Sequence, residues 1–271
     1  MTLVSTNWLN KNLGKVKIID ASWHLVKNRN AIEEYNKEHI PNAIFFNLDK
    51  NSNQDKKLPH GHFLPTKKVH EKAISNMGIL NSDHVVIYCC SDIISSCRVW
   101  FQFLYFGHEP KLVSVLNGGM KKWKLEDREV TNNKSRIIPS NYSAVENKSM
   151  VKIKSEINLN IKNKEFTVLD ARSKNRFLGL EAEPRPKVKS GSIEGSKSLP
   201  LTEIINLNDN TFINNKKLKD IFNLMKINSS KAVMSCGSSV SASTLALAYS
   251  IVNDDYMAKI YIGSWTEYGK K

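Results

Sequence analysis

Cys236 is the residue in this chain best placed to do chemistry. A short apolar run, Ala232, Val233 and Met234, leads into it, and Gly237, Ser238, Ser239 and Ser241 follow. An apolar helical pattern then continues through Ala242, Leu245, Ala246, Leu247 and Tyr249. The stretch 231–252 is therefore predicted to be strand, tight loop and helix. Small residues let backbone N–H groups turn inward, and the helix presents its positive end to the loop. Such surroundings favour a thiolate over the thiol, whose ordinary pKa is ~8.5. The chemistry would be nucleophilic, with Gly237, Ser239, Val240 and Ser241 cradling an anion. On this window alone a buried, inert cysteine is the commoner reading, so the rest of the chain must decide.

The elements that would hold this loop occur twice. Val16-Lys17-Ile18-Ile19-Asp20-Ala21 and Phe166-Thr167-Val168-Leu169-Asp170-Ala171 are both strands ending in Asp. Val85-Val86-Ile87-Tyr88 precedes Cys89 as Ala232-Val233-Met234-Ser235 precedes Cys236, and Gly118-Gly119 corresponds to Gly263-Ser264. The Asp-to-Cys gap is 69 residues in one half and 66 in the other, and the Cys-to-Gly gaps are 29 and 27. Four landmarks in one order mark an internal duplication. Strands alternating with helical stretches imply two α/β domains, each a mainly parallel sheet flanked by helices. The expected boundaries are a first domain over 1–125, a polar linker over 126–149 containing Pro139, and a second domain over 150–271. In such sheets ligands bind beyond the carboxyl ends of the strands, where Cys89 and Cys236 fall. The first loop, Cys89-Cys90-Ser91-Asp92-Ile93-Ile94-Ser95, carries an acidic and two bulky residues. It is poorly suited to an anion, so Cys89 and Cys90 are expected to be inert, a second sulfur carrier or a resolving thiol being the alternatives.

Composition narrows the classes further. The chain has 271 residues, 41% hydrophobic and 24% charged, and a net charge of +14. The basic residues are dispersed and do not alternate with aromatics, which argues against nucleic acid and for recruitment of small anions. No run approaches a membrane span and the N-terminus lacks a signal-peptide core, so a soluble, cytoplasmic protein is expected. The four cysteines have neither disulfide-scaffold density nor paired metal-ligand spacing and should be reduced.

With these residues in place, the chain resembles the two-domain rhodanese-like sulfurtransferases, and within them the 3-mercaptopyruvate sulfurtransferases. The resemblance runs from Trp8 to Gly269. It rests on the Asp-Ala-Arg run at Asp170, the Glu183-Pro184-Arg185-Pro186 segment, the cysteine loop and the closing Gly263-Ser264-Trp265-Thr266-Glu267-Tyr268-Gly269. Thiosulfate-using members of the family place basic residues after the catalytic cysteine; here Gly237 and Ser238 stand there, the mercaptopyruvate pattern.

The resemblance implies tandem rhodanese-like domains, the first non-catalytic, and sulfur transfer through a Cys236 persulfide. The donor would be a small sulfur anion, and the acceptor a thiol such as thioredoxin, or cyanide. It implies Arg176 and Arg185 as grips for the substrate carboxylate, and Ser238 assisting proton transfer with Asp49 and His60 behind it. No metal or organic cofactor is implied. The segment His60-Gly61-His62 offers two histidines where the pattern has one; a metal reading lacks third and fourth ligands. Ser239 replaces the family's second glycine, which strains the loop if that position needs a positive φ. A phosphatase would need an arginine six residues after Cys236, where Ala242 stands. Thiosulfate:cyanide transfer and a non-catalytic relay or binding module are the alternatives.

Overall fold

Two strands, β2 (Lys17–Asp20) and β7 (Thr167–Asp170), bury three residues in succession. That is the burial a parallel strand needs when both faces of its sheet are covered. The computed structural model describes residues 1–25, 28–227 and 231–270, and it divides into two units. The first comprises Met1–Asn53, Leu64–Asn147 and Asn206–Phe212; the second comprises Gln54–Phe63, Lys148–Ile205 and Ile213–Lys271. The short segments 54–63 and 206–212 thus belong to units other than those a single cut through the chain would give them.

In the first unit β1 (Leu3–Val4), β2, β3 (Ala43–Phe45), β4 (Val85–Tyr88) and β5 (Val113–Leu116) form one sheet in the order β1-β5-β4-β2-β3. The helices are α1 (Thr6–Asn10), α2 (Ala31–Lys37), α3 (Lys67–Asn76), α4 (Ser96–Tyr105) and α5 (Gly119–Leu125). The second unit repeats the plan. Its strands β6 (Val151–Lys152), β7, β8 (Lys197–Ser198), β11 (Ala232–Ser235) and β12 (Ile260–Tyr261) run in the order β6-β12-β11-β7-β8. Its helices are α6 (Lys154–Asn163), α7 (Lys174–Leu178), α8 (Asn215–Leu224), α9 (Val240–Val252) and α10 (Ser264–Tyr268). Two short strands, β9 (Ile205–Asn206) and β10 (Thr211–Phe212), stand outside both sheets. The pairings within both five-stranded sheets are parallel.

The register carries the duplication to the level of single residues. Asp20 pairs with Tyr88, and Asp170 pairs with Ser235. Cys89 and Cys236 therefore each stand one residue beyond the carboxyl end of a central strand. Behind Cys236, α9 is buried almost all round, from Ala242 to Tyr249, as its continuous apolar sequence demands. Ile157, Val168, Ile193, Val233, Tyr261 and Trp265 complete a core of the second unit. Among the described residues no helix is long and apolar enough to cross a membrane.

Candidate active site

The loop from Cys236 to Ser239 is held from behind by the first turn of α10. Trp265 N–H donates to Cys236 O at 2.8 Å, while Thr266 donates to Gly237 O through both N–H (3.1 Å) and Oγ1 (2.6 Å). In a trans peptide the N–H points opposite to the C=O. Pinning these two carbonyls toward α10 therefore turns the N–H groups of Gly237 and Ser238 the other way. Ser239 closes the loop at φ 62°, ψ 0°, so the position does require the left-handed conformation. Among the described residues, no protein acceptor is found for the N–H groups of Gly237, Ser238, Val240, Ser241 and Ala242. The last three are the first-turn donors that every helix leaves over.

Ser264 completes this arrangement. It too is left-handed, at φ 50°. Its Oγ accepts from Ser239 N–H at 3.0 Å and Cys236 N–H at 3.4 Å and donates to Tyr261 O at 3.0 Å. The corresponding residue of the first unit is Gly119, at φ 52°, which supplies no hydroxyl. Val240 is buried, so its side chain belongs to the core and only its N–H is offered to the loop. Cys236 itself is buried.

Two guanidinium groups converge on the same loop. A Cβ added at Gly237 would lie 3.3 Å from Nη2 of Arg176 and 3.3 Å from Nη1 of Arg185. Arg176 is held by Glu183, which also takes Nη1 of Arg172 at 2.7 Å. Arg172 in turn grips Asp170, at the end of β7, and lies over the Trp265 ring, 4.7 Å from its centroid. This chain of buried ion pairs anchors Arg176 to the sheet. Arg185, between Pro184 and Pro186, is different: it is half-buried, and its Nη2 donates to Ser238 Oγ at 2.9 Å. Burial pushes its guanidinium below the ordinary arginine range; the Cys236 sulfur pulls the other way and the positive charge of Arg176 adds to the lowering. No ion pair is found for it among the described residues.

His62, not His60, meets Ser238. The Nδ1 of His62 lies 3.0 Å from Ser238 Oγ, correcting the expectation that His60 takes this place. His60 is committed elsewhere: its Nδ1 accepts from His62 N–H at 3.1 Å, leaving its proton on Nε2, which donates to Ile262 O at 3.0 Å. Ser238 Oγ thus stands between an imidazole nitrogen and an obligatory donor, Arg185. Asp49 belongs to the first unit, where its Oδ1 accepts from Trp23 Nε1–H at 2.9 Å.

A rhodanese-like domain model matches residues 5–126. Over 98% of this chain and 91% of the other, the sequence is 34% identical to 3-mercaptopyruvate sulfurtransferase of Mus musculus. It is also 34% identical to thiosulfate sulfurtransferase of Rattus norvegicus, over 99% of this chain and 92% of the other. The chain belongs to the two-domain rhodanese-like sulfurtransferases. The crystal structure of SseA from Escherichia coli, presented with the mechanism of 3-mercaptopyruvate sulfotransferases, superposes with a TM-score of 0.83 at 27% identity. That match covers 98% of this chain and 99% of SseA. The protein is thus an enzyme of sulfur transfer on a tandem rhodanese fold, and equal identity to the mouse and rat proteins does not separate their two donors.

Within this sulfurtransferase the structure adds residues that sequence reasoning passed over. Ser264 and Thr266 lie in the closing motif that carries the resemblance, and they support the cysteine loop. Glu183 and Arg172, also in segments that carry it, form the ion-pair chain that holds Arg176. Ser241 is only half-buried in the first turn of α9 and contributes its N–H to the group of free donors.

Proposed function

We propose that this sulfurtransferase takes its sulfur from 3-mercaptopyruvate and carries it as a persulfide on Cys236. The observation that supports this reading most is Arg185: a half-buried guanidinium beside the cysteine loop, hydrogen-bonded to Ser238 and with no ion-pair partner among the described residues. A planar, forked donor in that condition suits a carboxylate, which it grips through two parallel hydrogen bonds. Gly237 and Ser238, neutral where thiosulfate-using relatives are basic, point to the same donor.

The Cys236 thiolate attacks the substrate sulfur, and the C–S bond breaks with its electron pair passing to the pyruvate enolate. The Ser238 hydroxyl, with His62 at its Oγ, delivers a proton to the enolate carbon, and pyruvate leaves. The N–H groups of Gly237, Ser238, Val240, Ser241 and Ala242 hold the anionic sulfur. An acceptor nucleophile then attacks the outer sulfur and returns Cys236 as thiolate; the thiolate of a small thiol or of thioredoxin, or the carbon of cyanide, meets that requirement. Arg176 and the N–H groups of the loop also suit a sulfonate-like dianion, which makes thiosulfate the second donor. The first unit is assigned no sulfur-carrying role, because Cys89 is buried with its thiol turned to Ser96 Oγ at 3.4 Å.

Peptide mass spectrometry after exposure to 3-mercaptopyruvate without acceptor tests the reading. A persulfide on Cys236 and release of pyruvate are expected, and Cys236→Ser should give neither. Pyruvate release persisting in that variant, or a higher kcat/KM for thiosulfate, would overturn it.

A further inference from the structure

The first unit carries a group of ligating side chains that sulfur transfer does not use. His24 follows β2, Glu34 lies in the first turn of α2, and Cys90 follows β4. They meet at one oxygen. Glu34 Oε2 is 3.0 Å from His24 Nε2, 3.0 Å from Cys90 Sγ and 2.7 Å from Arg29 Nη2. Cys90 Sγ and His24 Nε2 are 3.9 Å apart. His24 Nε2 meets that oxygen as a donor only in the tautomer that carries its proton there, and Cys90 Sγ also lies 3.1 Å from Ser22 Oγ, so the single S–H proton has two acceptors.

The same spacing suits a metal ion. Tetrahedral zinc, with bonds of ~2.3 Å to sulfur and ~2.0–2.1 Å to nitrogen and oxygen, sets its donor atoms roughly 3.3–3.6 Å apart. The three observed separations lie within about half an ångström of that. The His24 side chain is 4% exposed and that of Glu34 33%, so the ligands are shielded without being sealed. Arg29 Nε grips the other oxygen of Glu34 at 2.7 Å and fixes the carboxylate plane, as outer contacts at metal centres commonly do. Two anionic ligands would balance a doubly charged cation, which makes the neighbouring guanidinium tolerable.

We propose that His24 Nε2, Glu34 Oε2 and Cys90 Sγ form a binding site for a divalent, borderline-soft cation of the zinc type. Cys90 and Glu34 also line a cavity of about 380 Å³, together with Arg29, Lys37 and Lys124. Mixed sulfur, nitrogen and oxygen donors select such an ion over magnesium or calcium. Burial, followed by the adjacent Glu34 carboxylate, pushes the Cys90 thiol above its ordinary range. In the ion's absence the S–H proton lies between Glu34 Oε2 and Ser22 Oγ, 3.0 Å and 3.1 Å from the sulfur. Cation entry replaces the S–H bond by a sulfur–metal bond and releases one proton, with no change of oxidation state. His24 binds as the neutral imidazole, its proton on Nδ1. The bound ion ties α2 to the ends of β2 and β4, so it should stabilise the first unit by mass action.

Cobalt titration of the full-length Cys236→Ser protein tests this, because that background removes the competing thiol of the cysteine loop. One equivalent of Co²⁺ should give a thiolate-to-cobalt charge-transfer band and tetrahedral visible absorption, and Zn²⁺ should displace it. Adding Cys90→Ser should abolish the band and weaken zinc binding by at least the ~10-fold typical of losing an outer contact. His24→Gln should weaken cobalt binding by at least as much. No band in the Cys236→Ser protein, or a band that survives Cys90→Ser, would overturn the proposal. The first of these outcomes is read on a protein whose first unit is unaltered, so a misfolded variant cannot obscure it.

Discussion

Replacing Arg185 by Met removes a charge while keeping a side chain of similar length. Among the described residues the guanidinium has one hydrogen bond, to Ser238 Oγ, and its Nη1 stands 3.3 Å from the Cβ position of Gly237. Two charge-assisted bonds to a substrate carboxylate at ~1.5–3 kcal/mol each would be lost, of which ~3–4 kcal/mol is a conservative net. That corresponds to a fall in kcat/KM for 3-mercaptopyruvate of ~10²–10³-fold. The carboxylate is present in ground and transition states alike, so the loss should fall on KM and leave kcat nearly unchanged. Thiosulfate has no carboxylate and should lose ~10-fold or less. For stability, the lost bond to Ser238 is offset by relief of burying a cation without an ion-pair partner, so Tm should stay within a few degrees of the parent. Steady-state pyruvate release and thiocyanate formation from thiosulfate and cyanide, with a thermal melt, give all three quantities. Equal losses with the two donors, or a loss confined to kcat, would refute the carboxylate role. A collapse of Tm would show that Arg185 is structural.

Other changes follow from the same geometry. His62→Asn should lower kcat by ~10²–10³-fold, whereas His60→Asn should chiefly lower Tm by removing the buried bond to Ile262 O; kinetics and melts of the two variants separate them. Ser264→Ala deprives the Cys236 and Ser239 N–H groups of their acceptor and should cost ~1–3 kcal/mol in urea unfolding. Ser239→Gly relieves a left-handed serine by ~1–2 kcal/mol but adds ~0.5–1 kcal/mol of unfolded-chain entropy. It should therefore be neutral to mildly stabilising with kcat retained; Ser239→Val, β-branched in that conformation, should be clearly destabilising by the same urea measurement.

The sheets were legible because their strands announce themselves twice. Lys17–Asp20 and Thr167–Asp170 share an apolar run, a terminal Asp and a near-equal distance to the next cysteine, and the register then pairs them identically. The tight loop after Cys236 was legible from its small residues, although that window alone favours an inert cysteine. The choice between His60 and His62 was not. Both flank Gly61, and what separates them is the bond from His62 N–H to His60 Nδ1 together with the reach to Ile262 O, neither visible in a string of letters. Ser264 was hidden for another reason: serine seldom adopts a positive φ, and the hint lay in Gly119, its counterpart in the duplication. The group His24, Glu34 and Cys90 escaped because 56 residues separate its last two members, whereas metal sites read from sequence rely on close ligand spacing.

The duplication also explains why one cysteine loop is equipped for an anion and the other is not. Both have the same carbonyl pinned, Cys89 O by Met120 N–H at 3.0 Å and Cys236 O by Trp265 N–H at 2.8 Å. Beyond that point they part. The first loop reaches its helix only at Ser96, seven residues on, while α9 begins four residues after Cys236. The longer loop turns its polar groups upon its own unit: Ser95 Oγ donates to Ala21 O, Ser91 and Ser95 share a hydrogen bond, and both hydroxyls accept from Trp23 N–H. It also holds Ile94, a β-branched residue, at φ 52° with its side chain buried. The shorter loop has no such slack. Its carbonyls are drawn to α10, its cysteine N–H to Ser264, and five N–H groups are left without a protein acceptor among the described residues. The proposed difference in chemistry between the halves therefore lies less in the cysteine, which both possess, than in how far each loop satisfies itself.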